Sequence, residues 1–215
     1  DTNSYPGSGT SWTNLAQDGT GDATLYGPVY RADNKGSLYH DGSNDYVRIF
    51  DYISDDYDDG NFTWMTWVKP ESLAKFTFIV KARRPNIIRG ENQTAFYAEF
   101  EGANGYQQLG ITLPSSRNTY GRWFCLAFRV TTYGALTFEV FDPTHGTHQT
   151  ATGQRLMPGA SGHSDGLYLN LPGWWGGGRD ENLLGLQGPF FQYGRALSDE
   201  EVIQNYEAIK TRLTV

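Results

Sequence analysis

A chain of 215 residues fits one large domain and can bury a sizeable core without disulfide or metal staples. Its formal net charge of −7 excludes general nucleic-acid binding and attachment to anionic membranes, both of which need a surplus of Lys and Arg. No apolar stretch approaches the ~20 residues that insert across a bilayer. No signal peptide opens the chain, which starts on Asp1 rather than a methionine, as a processed or excised piece would.

Aromatic residues supply 15% of the sequence against 2 Met, and the 26 glycines fall between short apolar runs. That mixture suits strands joined by tight turns. In chain order, the first strand candidates are 37–41 and 46–50, parted by Asp41-Gly42. From Phe62 a period of two sets Phe62, Trp64, Thr66 and Val68 on one face, with Thr63, Met65, Trp67 and Lys69 on the other. Runs 76–81, 94–101, 106–113 and 121–131 follow. Leu136, Phe138 and Val140 then alternate with Thr137, Glu139 and Phe141, and runs 166–171 and 183–193 come last. Asp59-Gly60, Glu101-Gly102 and Asp165-Gly166 punctuate the series, while 51–61, 83–94 and 142–166 read as polar loops. The single Cys125, inside Trp123-Phe124-Cys125-Leu126-Ala127-Phe128, reads as a small buried hydrophobe.

The end of the chain changes character. Ser198-Asp199-Glu200-Glu201 is a capping box, and its acidic residues complement the positive end of a helix dipole. Val202, Tyr206 and Ile209 recur on one helical face, with Ile203 beside them. These elements predict an all-β fold, a two-sheet antiparallel jelly-roll sandwich closed by a short C-terminal α-helix. Residues 1–215 form a single domain in this reading, with Trp67 and Trp123 largely buried.

The segment Phe190-Phe191-Gln192-Tyr193-Gly194-Arg195-Ala196-Leu197-Ser198-Asp199-Glu200-Glu201 resembles the closing strand and helix start of laminin G-like, or concanavalin A-like, jelly rolls. Gly36-Ser37-Leu38-Tyr39-His40-Asp41-Gly42-Ser43-Asn44-Asp45-Tyr46-Val47 is similar to their early hairpin, with His40 where that pattern usually has Phe. Phe62 to Pro70 matches their Phe-Thr-x-x-x-Trp-Val-Lys-Pro strand, and Trp123 fits the strand after a Gly-x-Trp turn. The opening Ser4 to Leu15 and the closing Asn205 to Arg212 resemble members found in tailed-phage structural proteins, marine ones especially. The resemblance implies the sandwich and display on a virion or extracellular surface, as a head decoration, fibre or tail-associated domain. It implies no single activity, because lectins, adhesion modules and glycan-cleaving enzymes share the fold.

Catalysis is disfavoured by the residues present. Glycoside hydrolysis uses two carboxylates flanking the bond. The Glu-x-Asp-x-x-Glu string of laminarinase-like relatives and the Arg-x-Glu-x-Arg of jelly-roll lyases are both missing. Glu99-Phe100-Glu101 comes nearest and reads as a solvated strand edge. His145, His148 and His163 lack a Glu at zinc-site spacing and read as solvated loop histidines. In the acidic run from Asp51, the oxygens of Asp55, Asp56, Asp58 and Asp59 offer hard ligands to calcium, which laminin G-like relatives often hold. A solvated hairpin tip is the simpler reading, and calcium is the sole cofactor candidate.

The leading ligand site is Gly173-Trp174-Trp175-Gly176-Gly177-Gly178-Arg179-Asp180. Its glycines leave the two indoles little side chain to bury against. An indole face stacks on the C–H face of a sugar while nearby polar groups hold the hydroxyls. Arg179 and Asp180 stand close enough to do so, joined by His163 and Asp165 from the preceding loop. Two other outcomes fit the same residues: indoles folded inward as a plug, or a protein contact in a capsid or fibre. The expected function is a non-enzymatic recognition or structural module with a glycan or other virion proteins as partners, as a monomer or an oligomer. Its rivals are a polysaccharide-cleaving enzyme with dispersed catalytic residues and a capsid-decoration protein without a glycan ligand.

Overall fold

The computed structural model describes residues 5–15, 22–33, 35–49, 61–72, 76–81, 87–92, 94–102, 105–131, 134–154, 167–170 and 182–214. In chain order its strands are β1 (Ser11–Trp12), β2 (Ala23–Tyr26), β3 (Val29–Arg31), β4 (Ser37–Asp41), β5 (Tyr46–Ile49), β6 (Phe62–Pro70), β7 (Phe76–Lys81) and β8 (Ile87–Asn92). They continue with β9 (Ala95–Gly102), β10 (Gly105–Thr112), β11 (Phe124–Val130), β12 (Ala135–Asp142), β13 (Thr147–Gln154), β14 (Leu167–Leu169) and β15 (Leu184–Tyr193), before the helix α1 (Asp199–Thr214). One sheet has the order β1-β2-β5-β14-β7-β8-β9-β10 and the other β13-β12-β11-β6-β15-β4-β3. All described pairings are antiparallel, as for Trp67 opposite Cys125 and Phe128 opposite Trp64. This is the expected sandwich.

Two stretches expected as loops are strands. β8 lies in 83–94, where Arg89 and Glu91 mask an alternation that turns Ile88 and Gly90 inward; Gly90 leaves room for the ring of Phe76. β13 lies in 142–166 and is built from Thr, His, Gln, Ala and Gly. It pairs on β12 along eight residues at the sheet edge, where half-buried and exposed positions alternate without an apolar signal. The short β1, β2 and β3 also escape sequence reading. β11 begins at Phe124 rather than 121, because Gly121 turns at φ 68 with its N–H donating to the Pro70 carbonyl at 2.6 Å.

Apolar side chains fill two spaces. Phe62, Trp64, Val68, Phe76, Phe78, Phe96, Phe124 and Phe128 pack between the sheets. Met65, Trp67, Trp123, Cys125, Ala127, Phe141 and Leu186 form a second core between the seven-stranded sheet and α1. Strands β6 and β11 are therefore covered on both faces, and burial runs almost unbroken along each. Trp67 and Trp123 are buried as expected. Gly185 sits at φ 144 against the end of β6, where a methyl group would run into the Lys69 carbonyl and the Glu71 amide. Only glycine fits there.

The helix stripe is Val202, Tyr206, Ile209 and Leu213, with Ile209 half-buried. Leu213 extends the expected face by one turn, whereas Ile203 is 44% exposed and takes no part in it. The capping box forms reciprocally: the Ser198 N–H donates to Glu201 Oε2 at 2.9 Å, and the Glu201 N–H to Ser198 Oγ at 3.3 Å. Arg195 grips the same carboxylate with two bonds of 2.7 and 2.6 Å, and together they hold the Glu201 pKa down to about 2. From below, Arg129 donates to the Leu197 carbonyl at 2.9 Å and pairs with Asp199 at 2.6 Å and Glu139 at 2.9 Å. The helix start is thus tied to the sheet by an almost buried cation.

Candidate functional site

Register fixes which strand ends stand together. Ile49, Leu167 and Lys81 lie side by side in β5, β14 and β7, and this end, called upper here, also carries the start of α1. The lower end carries the β4–β5 turn, Asn170 and the start of β15. Trp174, Trp175, Arg179 and Asp180 lie outside the described residues, as do His163, Asp165, Asp55, Asp56, Asp58 and Asp59. Their flanking residues are described. The acidic run follows β5 at the upper end, and the segment with His163 and Asp165 enters β14 at that same end. The tryptophan segment leaves β14 at the lower end and enters β15 there.

The base of the tryptophan segment is a buried polar network. Asn170, with φ 58, accepts the Leu183 N–H at 2.6 Å on its side-chain oxygen and donates to the Asp45 carbonyl at 2.7 Å. Its side-chain nitrogen also lies 3.0 Å from His40 Nδ1, and His40 Nε2 lies 3.0 Å from Gln187 Oε1. Asn182 donates to the Ser43 carbonyl. His40 is fully buried, and burial lowers its pKa to about 4. The neutral ring matches its partners only as the Nε2–H tautomer, which donates to Gln187 and accepts from Asn170. Nothing in the sequence pairs these residues; the one signal is a His at a position where the resembling pattern has Phe.

Glu99 corrects the reading of a solvated edge. β9 is an interior strand, between β8 and β10, and Glu99 is 4% exposed. Arg89 Nε binds its Oε1 at 2.5 Å and Gln108 donates to the same oxygen at 2.9 Å, while Tyr97 lies under the Arg89 guanidinium. His145 is an exposed turn residue, as expected, whereas His148 is exposed but lies on a strand rather than in a loop. His148 belongs to β13, stacks on Phe141 with centroids 4.0 Å apart, and reaches the buried Glu139 at 3.0 Å. His145 closes the β12–β13 turn on Asp142 at 2.8 Å. Cys125 is fully buried, and burial pushes its thiol well above the usual range.

A polar cavity of about 250 Å³ opens at the lower end, on the face of the seven-stranded sheet that carries α1. Its wall includes Asp33, Lys35, Lys69, Arg122, Trp123 and Thr144, with the last turn of α1 closing one side. Each contributing segment is held in place. Arg212 donates twice to the Lys35 carbonyl, at 3.0 and 2.6 Å. Arg122 bonds the Asn118 carbonyl at 3.0 Å and the 1% exposed Asp142 at 3.1 Å, and lies over the Phe124 ring. Asp142 also accepts the Thr144 N–H at 3.1 Å. Lys69 lies opposite Leu186, close to the Gly185–Pro70 pair where the tryptophan segment rejoins the sheet. Sequence reading missed this site because its residues come from five separated segments.

No protein-family model matches the sequence, and no curated protein does. Solved structures do match. The binding domain of Paraclostridial Mosquitocidal Protein 1 superposes with a TM-score of 0.69 at 12% identity, over 93% of this chain and 51% of that one. The botulinum neurotoxin serotype D binding domain gives 0.66 at 13% identity, over 87% and 47%. The enzymatically active domain of bacteriophage CBA120 tailspike protein 2 gives 0.61 at 13% identity, over 94% and 32%. At these identities the likeness is one of fold, and the chain spans about half or less of each. No helix among the described residues is long and apolar enough to cross a membrane.

Proposed function

We propose that this sandwich is a non-enzymatic recognition module, displayed on a virion or other extracellular surface, that holds a glycan at its lower end. The observation that carries the non-enzymatic part is Glu99. The strand carboxylate nearest in pattern to a glycosidase acid is 4% exposed, and Arg89 and Gln108 both bond its Oε1, which is the setting of a structural ion pair inside a sheet rather than of a group open to a substrate. Two of the solved structures of like fold are binding domains, which supports recognition. The tailspike domain supports the phage setting and also gives the enzymatic rival its footing. The binding surface proposed is Trp174 and Trp175 with Arg179 and Asp180, which belong to the one segment that joins β14 to β15 at that end. His163 and Asp165 enter from the other and are secondary candidates.

Replacing Trp174 and Trp175 separately by Ala tests the surface. The expected result is lost binding on a glycan array with an unchanged melting temperature. Lost stability would instead identify an inward plug, and variants that bind and melt like the parent would remove the segment from the function. Steady release of reducing sugar from polysaccharides, abolished by Glu99→Gln, would favour the enzyme.

The calcium proposal stands on Asp55, Asp56, Asp58 and Asp59. A cation held only by the folded chain must raise its melting temperature. Scans with calcium and with chelator are expected to separate, and superimposable curves would dismiss the site.

A further inference from the structure

We propose that the cavity beside the end of α1 is a subsite for one negatively charged sugar residue of the hexuronic acid type. This rests on the recognition reading and adds a ligand class to it, at a second position on the same end of the sandwich. The cavity volume, about 250 Å³, suits one sugar ring rather than a chain. Lys35 and Lys69 both line it, and among the described residues neither has an ion-pair partner, so two cationic side chains are available to it. On a chain of net charge −7, such a pair is a local exception.

The remaining wall fits the rest of such a ring. Asp33 supplies acceptors and Thr144 a hydroxyl for sugar hydroxyl groups, while the edge of the buried Trp123 contributes an apolar part of the wall. Arg122 is held by Asn118, Asp142 and His145, so it adds a fixed positive charge to the wall without reorganising. Gly121 has no atom within 4 Å of where a side chain would begin, which leaves the approach open.

The test uses the full chain and sodium glucuronate, with glucose, sodium sulfate and sodium chloride at equal ionic strength, read by titration calorimetry and melting temperature. Glucuronate is expected to bind and stabilise, and glucose and chloride are not. The double variant Lys35→Gln/Lys69→Gln should bind about tenfold more weakly or worse while melting like the parent without ligand. Thr144→Val, on an exposed turn, should weaken glucuronate alone. No binding of glucuronate overturns the proposal, as does binding that ignores the lysine substitutions. Sulfate binding as tightly as glucuronate overturns the sugar assignment. Glucuronate binding lost on replacing Trp174 or Trp175 but kept in the lysine variant places the sugar at the tryptophan segment. That outcome sinks this inference and leaves the recognition reading intact. Glucuronate binding that depends on the lysines, beside glycan-array signals indifferent to Trp174 and Trp175, does the reverse.

Discussion

Tyr206→Ala is expected to lower the unfolding free energy by about 4 kcal/mol, or roughly 10 °C in melting temperature. Tyr206 is 6% exposed and lies between two rings, stacked on Trp67 at 5.4 Å and on Phe141 at 4.5 Å, with His148 beyond Phe141. Four rings from β6, α1, β12 and β13 thus form one pile. Removing the second of them opens a cavity bounded by rigid sheet on one side, which cannot collapse to fill it. Tyr206→Phe keeps the pile and should cost less than about 1 kcal/mol, so the comparison separates packing from the hydroxyl. Equilibrium denaturation measures both. A loss below about 1 kcal/mol for Tyr206→Ala would mean that the stack does not hold α1 to the sheet.

Acid should weaken the fold through His40. Its folded pKa of about 4 lies below the 6.5 of an unperturbed histidine, so the unfolded chain takes up a proton that the folded chain refuses. The contribution is present in full above pH 6.5 and is lost as pH falls through about 4. Across that window the loss amounts to about 3 kcal/mol. Protonation would also turn Nδ1 into a donor facing the Asn170 amide, so that both would compete for the Asp45 carbonyl. His40→Gln cannot titrate, and its denaturation free energy should fall less steeply than the parent's between pH 6.5 and 4. Equal slopes in the two proteins would assign the acid sensitivity to carboxylates instead.

Much of this fold was legible because its strands follow simple rules. The alternation in Phe62–Pro70 and the capping box at Ser198 are local patterns, and both appear where the sequence puts them. β13 was not legible, since an edge strand of Thr, Gln and His buries too little apolar surface to announce itself. Glu99 was misread for a related reason. Two carboxylates spaced by one residue look solvated until the topology sets Arg89 and Gln108 on the neighbouring strands. The His40–Asn170–Gln187 network and the cavity were invisible because their members meet only through long-range pairing. Composition and spacing can nominate tryptophans in a glycine-rich segment, but they cannot say which strand ends stand beside them.

The helix laid over the seven-stranded sheet has a consequence for how such a domain can diverge. With β6 and β11 sealed on both faces, neither side of those strands is free to drift, and their residues are constrained twice over. Freedom to vary is left to the outer face of the eight-stranded sheet and to the segments at the two ends. A lineage could therefore exchange one surface target for another by rewriting those ends alone, while the layered centre stays recognisable in shape long after its sequence has ceased to be.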